Sequence, residues 1–200
     1  MMLLFCLFVT SIEGYDVTYF DSRDVAAMAM CGALWSVLSI TIAPIFWRLT
    51  HMPFLCDMIG VISLILALWW ARKFGAVTVT GVIATILTLA LSPEATHFFG
   101  FTVASIIFDA LARLIGYRNC IEKPTPSTIS LLSVSIASTA VAGLIIGNLF
   151  TDPKFLAAMF GGIALFAGLH ALGGAIGGGI GVVLVRALEA RKVLPPRKSK

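Results

Sequence analysis

The stretch FLAAMFGGIALFAGLHALGGAIGGGIGVVLVRALEA (155–190) decides the fold class, because it carries no charged side chain before Arg186. An α-helix rises about 1.5 Å per residue, so this run would reach about 54 Å, well beyond a hydrocarbon core of about 30 Å. It therefore reads as two pieces: a short outer-face helix near 155–168 and a membrane span near 170–189. The glycine run GGAIGGGIG (173–181) falls inside the span, with Gly173, Gly177 and Gly181 on one face and Gly174 and Gly178 on another. Such glycines let helices approach closely, here most simply within the same chain.

Working outward, comparable apolar runs recur along the chain. The first runs from about Asp24 to Ile42, introduced by the polar stretch EGYDVTYFDSRD (13–24), and a loop carrying Pro44, Trp47, Arg48, His51 and Pro53 follows. The second covers Phe54 to Ala71 and stops at Arg72 and Lys73; the third runs from Gly75 to Leu91. Ser92, Pro93 and Glu94 then read as an N-cap, a first helical residue and a dipole-matched acid, opening a fourth span that ends near Gly116. The fifth extends from Ser127 to Leu149 and is closed by Thr151, Asp152 and Pro153. The expected architecture is an all-α membrane protein: an apolar and polar tail (1–23), a six-helix transmembrane domain (24–190) and a basic tail (191–200).

Composition agrees. Mean hydropathy is +1.00, with 59% apolar and 12% charged residues. A water-soluble domain carries about 25% charged residues. An intrinsically disordered chain, a nucleic-acid module and a soluble enzyme are excluded. With the N-terminus placed in the cytoplasm, twelve Lys and Arg fall on the cytoplasmic side, and only Arg48 and Lys154 fall outside. That asymmetry predicts both termini inside a cell membrane. The segment MMLLFCLFVTSI (1–12) has the apolar character of a signal-peptide core but no basic residue precedes it, and cleavage would leave Arg23 outside. It reads as a cytoplasmic or interfacial tail. Cys6, Cys31, Cys56 and Cys120 show no CxxC spacing, so neither disulfides nor zinc are signalled.

Two groups of residues could carry function. On the first span Ala26, Ala29 and Ala33 recur at three- and four-residue steps, with Gly32 and Ser36 nearby. Ala29 and Ala33 form a small-xxx-small pair, suited either to a partner helix or to the protein's own bundle. On the fourth span Glu94, His97, Phe98, Phe101, Ser105 and Phe108 would share a face. An acid and an imidazole above aromatic rings suit a small heteroaromatic or cationic solute, through ion pairing and stacking. Trp47 and His51 in the first outer loop, and Asn148 and His170 near the outer ends of the last two spans, complete the candidate solute site. Asp109, with Arg113 four residues on, reads as a structural pair whose Arg reaches the cytoplasmic edge. No GxSxG, HExxH or phosphate-binding loop is present, so the sequence predicts no catalysis, no cofactor and no metal centre of its own.

The layout over residues 20–192 resembles the substrate-binding S components of energy-coupling factor (ECF) transporters. The resemblance rests on the lead YFDSRD, the Ala-rich helix DVAAMAMCGALWSVLSI with Ala29 and Ala33, the Pro-containing outer loop, six spans and a basic tail. From Gly81 through SPEATHFFGFTVASIIFDALARLIGY it is most similar to the thiamin-precursor (hydroxymethylpyrimidine) type. The resemblance implies that Ala29 and Ala33 dock a transmembrane scaffold subunit and that separate ATPase subunits drive transport. It also implies a solute held in the outer half by the first outer loop and spans four to six. A structural subunit of a membrane complex, with no solute of its own, is the alternative.

Overall fold

The computed structural model describes residues 19–121, 124–193 and 195, and among them the regular structure is entirely helical. The expected apolar run 1–12 and most of the basic tail 191–200 lie outside the described residues. The elements are α1 (Ser22–Thr41), α2 (Ala43–Thr50), α3 (Phe54–Ala71), α4 (Ala76–Leu91), α5 (Phe98–Ile115), α6 (Tyr117–Ile121), α7 (Pro124–Leu149), α8 (Pro153–Phe160) and α9 (Ile163–Ala190).

Local chemistry explains most boundaries. The Asp21 carboxylate accepts the Asp24 amide at 2.7 Å and starts α1. Asp152 caps α8 in the same way, accepting from Lys154 and Phe155, with Pro153 at the first helical position. Gly161 and Gly162 both take positive φ, which ends α8 and turns the chain into α9. The break in the 155–190 run therefore comes earlier than the sequence suggests, and α9 is a single helix of 28 residues.

Three further expectations need correction. The segment expected as a loop after the first span is mostly helical: after a bend at Ile42, α2 is opened by Pro44 near its N-terminus and ended by His51 in the left-handed conformation. The fourth span begins at Phe98, not at Pro93. Residues 92–97 instead make successive three-residue turns, with the Ala95 amide bonded to the Ser92 carbonyl and the Phe98 amide to the Ala95 carbonyl. The fifth helix begins at Pro124.

Among the described residues five helices are long and apolar enough to cross a membrane, counting α1 and α2 together as Ser22–Thr50; α4, at 16 residues, is a shorter apolar helix. The six long helices close into a ring in which α1 packs on α4, α4 on α5, α5 on α7, α7 on α9, α9 on α3, and α3 back on α1. Helix α9 is seated by its glycines. A methyl group at Gly173 would stand 2.4 Å from the Phe54 carbonyl oxygen, and one at Gly177 would meet the Met58 carbonyl at 2.7 Å. On the adjoining face a methyl at Gly174 would meet Thr139 and the Ser135 carbonyl of α7. The glycine ridges are thus used for close packing within the chain.

The exterior is as apolar as the core, unlike that of a soluble protein, and the core also holds hydroxyls. Met30, Leu49, Ile86, Leu114 and Val183 are exposed, whereas Ser36, Ser63, Thr80, Thr85, Thr88 and Ser105 are buried. The buried hydroxyls are occupied: Thr88 bonds Ser36 at 3.0 Å between α4 and α1, and Thr85 meets Thr102 at 2.6 Å between α4 and α5. Apolar side chains facing out and hydroxyls bonded to one another within the bundle are what a lipid solvent requires. The chain is a multi-pass membrane protein.

Candidate functional site

The loops and short helices gather at two ends of the ring, named here for His51 and for Lys73. At the Lys73 end Asp24 and Lys73 pair at 2.8 Å, and the Lys73 ammonium also donates to the Tyr19 carbonyl. Glu189 accepts from Trp69 Nε1 and from Arg186, each at 3.2 Å. Asp109 does not pair with Arg113. Its Oδ2 accepts from the Gly75 amide at 2.8 Å and from the amide and hydroxyl of Thr78, both at 3.1 Å. Arg113 instead lies over the Phe74 ring, 5.1 Å from its centroid. These contacts tie helix ends together, a structural task.

The His51 end is different, because aromatic and imidazole rings from separate elements meet there. Phe98 and Phe101 are three residues apart on α5, so they share a face and pack edge to face, with centroids 5.3 Å apart. The His97 ring, one residue before α5, lies 5.4 Å from Phe98 and 6.2 Å from Phe101. Phe166 and His170 share a face of α9 at i and i+4, with rings 4.7 Å apart, and His170 meets Phe101 at 6.2 Å. Phe160 at the end of α8 adds a contact of 5.1 Å to Phe166, and Trp47 of α2 reaches Phe160 at 6.3 Å. His51 is attached to the chain of rings only through Trp47, at 6.1 Å, and is itself exposed. Six residues singled out in the sequence, His97, Phe98, Phe101, His170, Trp47 and His51, thus fall in one connected cluster.

Glu94 and Asn148 fall outside it. Glu94 is exposed in the turn before α5, so it does not share a helical face with His97. Asn148 is exposed, and its amide donates to the Leu144 carbonyl one turn back on its own helix. Ser105 and Phe108 are buried in the packing: the Ser105 hydroxyl donates to the Phe101 carbonyl and lies against Gly81 of α4. Ala26 is exposed, and Ala29 and Ala33 are half-buried, whereas Gly32 is closed off by Ile83 and the Thr80 carbonyl of α4. The alanine stripe therefore lies beside the intrachain seam of α1.

Burial, and secondarily the nearby His170, hold the His97 imidazole below its ordinary pKa range. A neutral imidazole among rings can stack and exchange one donor and one acceptor with a flat polar molecule. Beneath the cluster lies a feature that sequence reasoning missed. His170 Nδ1 stands 2.7 Å from Asp57 Oδ2, and both side chains are almost fully buried. Trp35 of α1 lies close to the same place, with its ring 5.8 Å from both Phe98 and Phe101 and its edge on Gly60 of α3. Phe160 and Phe166 were also missed. A lone acid in the run FLCDMIGVISLILALWWA (54–71) and the Phe166 and His170 pair at helical spacing were the available signals.

No protein-family model, curated protein or solved structure gives a significant match to this chain.

Proposed function

We propose that this chain is the solute-binding membrane subunit of an uptake transporter of the ECF type, taking a thiamin precursor or a similar small heteroaromatic solute from outside the cell. One observation carries the reading: rings from four elements, His97 with Phe98 and Phe101, Phe166 with His170, Phe160, and Trp47, converge at one end of a membrane bundle. Stacking against edge-to-face aromatic rings and a neutral imidazole suits a flat, polar heterocycle. In this reading the His51 end faces outward and six spans cross a cell membrane with both termini cytoplasmic. Helix α4 contributes about 24 Å, and its flanking turns make up the remaining thickness. The half-buried Ala29 and Ala33, with Ala26, dock the scaffold subunit, and ATPase subunits of the complex supply the energy.

A structural subunit without a solute is the second reading. The close packing of the cluster favours it: Phe98, Phe101, Phe160 and Phe166 are each at most 6% exposed. A solute would have to part α2 and α8 from α5 and α9 to enter.

Titration of the purified protein with thiamin and with hydroxymethylpyrimidine separates the two. The solute reading expects saturable binding of at least one compound, weakened tenfold or more by Phe101→Ala, since stacking and apolar contact are both lost. Glu94→Gln should change affinity by less than about threefold, because a charge in an exposed turn is screened. Absence of binding for these compounds, together with loss of subunit assembly in Ala29→Trp, would favour the structural reading.

A further inference from the structure

Three buried polar groups meet between α1, α3 and α9 with hydrogen-bonding capacity unspent. Asp57, His170 and Trp35 are 1%, 2% and 2% exposed. Asp57 Oδ1, His170 Nε2 and Trp35 Nε1 make no hydrogen bond among the described residues. The contact of 2.7 Å between His170 Nδ1 and Asp57 Oδ2 is close enough for an ion pair but not aligned as a directed hydrogen bond. A polar group buried without a partner forfeits its hydration, so three in one place call for an occupant.

The space for one exists. Asp57 and Trp35 line a cavity of about 10 Å³ together with Gly60, Phe101, Ser138 and Thr139. That volume accommodates one water molecule. The Ser138 and Thr139 hydroxyls both donate to the Ser135 carbonyl, at 3.1 and 2.8 Å, which leaves their oxygens as acceptors. A water there would accept from the Trp35 indole N–H and donate to Asp57 and to one of the hydroxyls. Three bonds are the usual complement of a buried water. The indole N–H, a donor, is unsuited to a metal cation.

Charge then decides what the pair holds. A neutral imidazole beside an ionised Asp57 would bury one net negative charge, and among the described residues no Lys or Arg pairs with Asp57. One added proton, on either member, brings the pair to neutrality and removes most of that solvation cost. The titratable groups nearest it are Cys56 on α3 and His97, one residue before α5; the charged residues of α1 (Arg23, Asp24), α5 (Asp109, Arg113) and α9 (Arg186, Glu189) belong to the Lys73 end. Helices α1 and α7 contribute Trp35, Ser39, Ser138 and Thr139, none of which is charged.

We propose that Asp57 and His170, with the water-sized cavity beside Asp57, form a proton-binding site in the part of the bundle nearest the His51 end, where a cavity water would hydrogen-bond the Asp57 carboxyl. The site stands whether or not the ring cluster above it binds a solute. A methyl at Gly173 would meet both Asp57 Cβ, at 2.9 Å, and the Phe54 backbone, so the proton sits on the tightest stretch of the seam between α9 and α3. Losing it would place net charge in that seam and favour its opening to water.

The test is the pH dependence of thermal stability of the full-length protein in detergent. Above about pH 7 an unfolded chain carries neutral His and ionised Asp, whereas the folded pair keeps one proton. The folded-to-unfolded ratio should then fall by up to tenfold per pH unit as pH rises, seen as a steady decline in Tm from about pH 7 to 7.5, below the range in which the thiols of an unfolded chain ionise and add a decline of their own. Asp57→Asn should flatten that decline, and His97→Gln should leave it in place. A wild-type Tm that is level over this range, or a decline that survives Asp57→Asn, overturns the proposal. Should Asp57→Asn fail to fold, the wild type still decides. Unfolding it near pH 7.5 in weakly buffered detergent should release about one proton per chain, and release of none overturns the assignment.

Discussion

The carboxylate of Asp109 on α5 accepts the backbone N–H of Gly75 at 2.8 Å and so caps a helix to which it does not belong. Helix α4 has no side-chain cap of its own; Gly75, at φ +91°, makes the turn that presents its amide and that of Thr78 to Asp109. A carboxylate at a helix N-terminus also meets the positive end of the helix dipole. Asp109→Ala should therefore cost about 1 kcal/mol of stability, by removing the acceptor from these half-buried donors. Asp109→Asn, which keeps an acceptor oxygen, should cost less than half of that. Thermal unfolding of the two variants checks the ordering, and equal losses would point to charge instead of capping.

The glycines of α9 should divide sharply under substitution. Gly173→Ala puts a methyl 2.4 Å from the Phe54 carbonyl oxygen, so it should destabilise the bundle by about 1–3 kcal/mol through overpacking. Gly179→Ala meets nothing within 4 Å and should be neutral, or stabilising by up to about 1 kcal/mol through helix propensity. Unfolding midpoints measured side by side test this, and a Gly173→Ala as stable as the wild type would mean that α9 can slide off α3.

His97 should give an acid-side signature. Its folded pKa is lowered by burial, so the unfolded state gains a proton first as pH falls through about 6.5, and stability should decline below that pH. This is opposite in direction to the effect of the Asp57 and His170 pair and lies in a separate pH window. His97→Gln should remove the part of the decline between about pH 6.5 and 5. Tm profiles over that range provide the check, and an unchanged decline in the variant would assign it elsewhere.

Cys120 should resist alkylation. It is fully buried, and its thiol is pushed up to about 11 by burial. At pH 8 about one molecule in a thousand would then carry the reactive thiolate. Maleimide should modify Cys120 only on denaturation, as mass spectrometry of tryptic peptides would show. Rapid labelling of the native protein would mean that α6 detaches from the bundle.

The sequence alone determined that this chain lives in lipid and where most of its helices lie. Composition and uninterrupted apolar runs report directly on the surrounding solvent, and the stop signals at Arg72, Gly116 and Asp152 act through neighbouring backbone. The proximity of His97, Phe98 and Phe101 was legible for the same reason: it is local. Only the tertiary structure decided the partners. Glu94 was expected on the face of His97 because helical spacing was extended back to Pro93, but residues 92–97 fold as tight turns and turn that acid out to solvent. Asp109 was paired with Arg113 by the i+4 rule, whereas the orphan amides of α4 offered stronger bonds from a neighbouring helix. Asp57 and His170 lie on α3 and α9, and no periodicity connects them. They meet because Gly173 and Gly177 remove the side chains that would otherwise hold those helices apart, and such a contact belongs to the packing of two surfaces, which neither stretch of sequence encodes by itself.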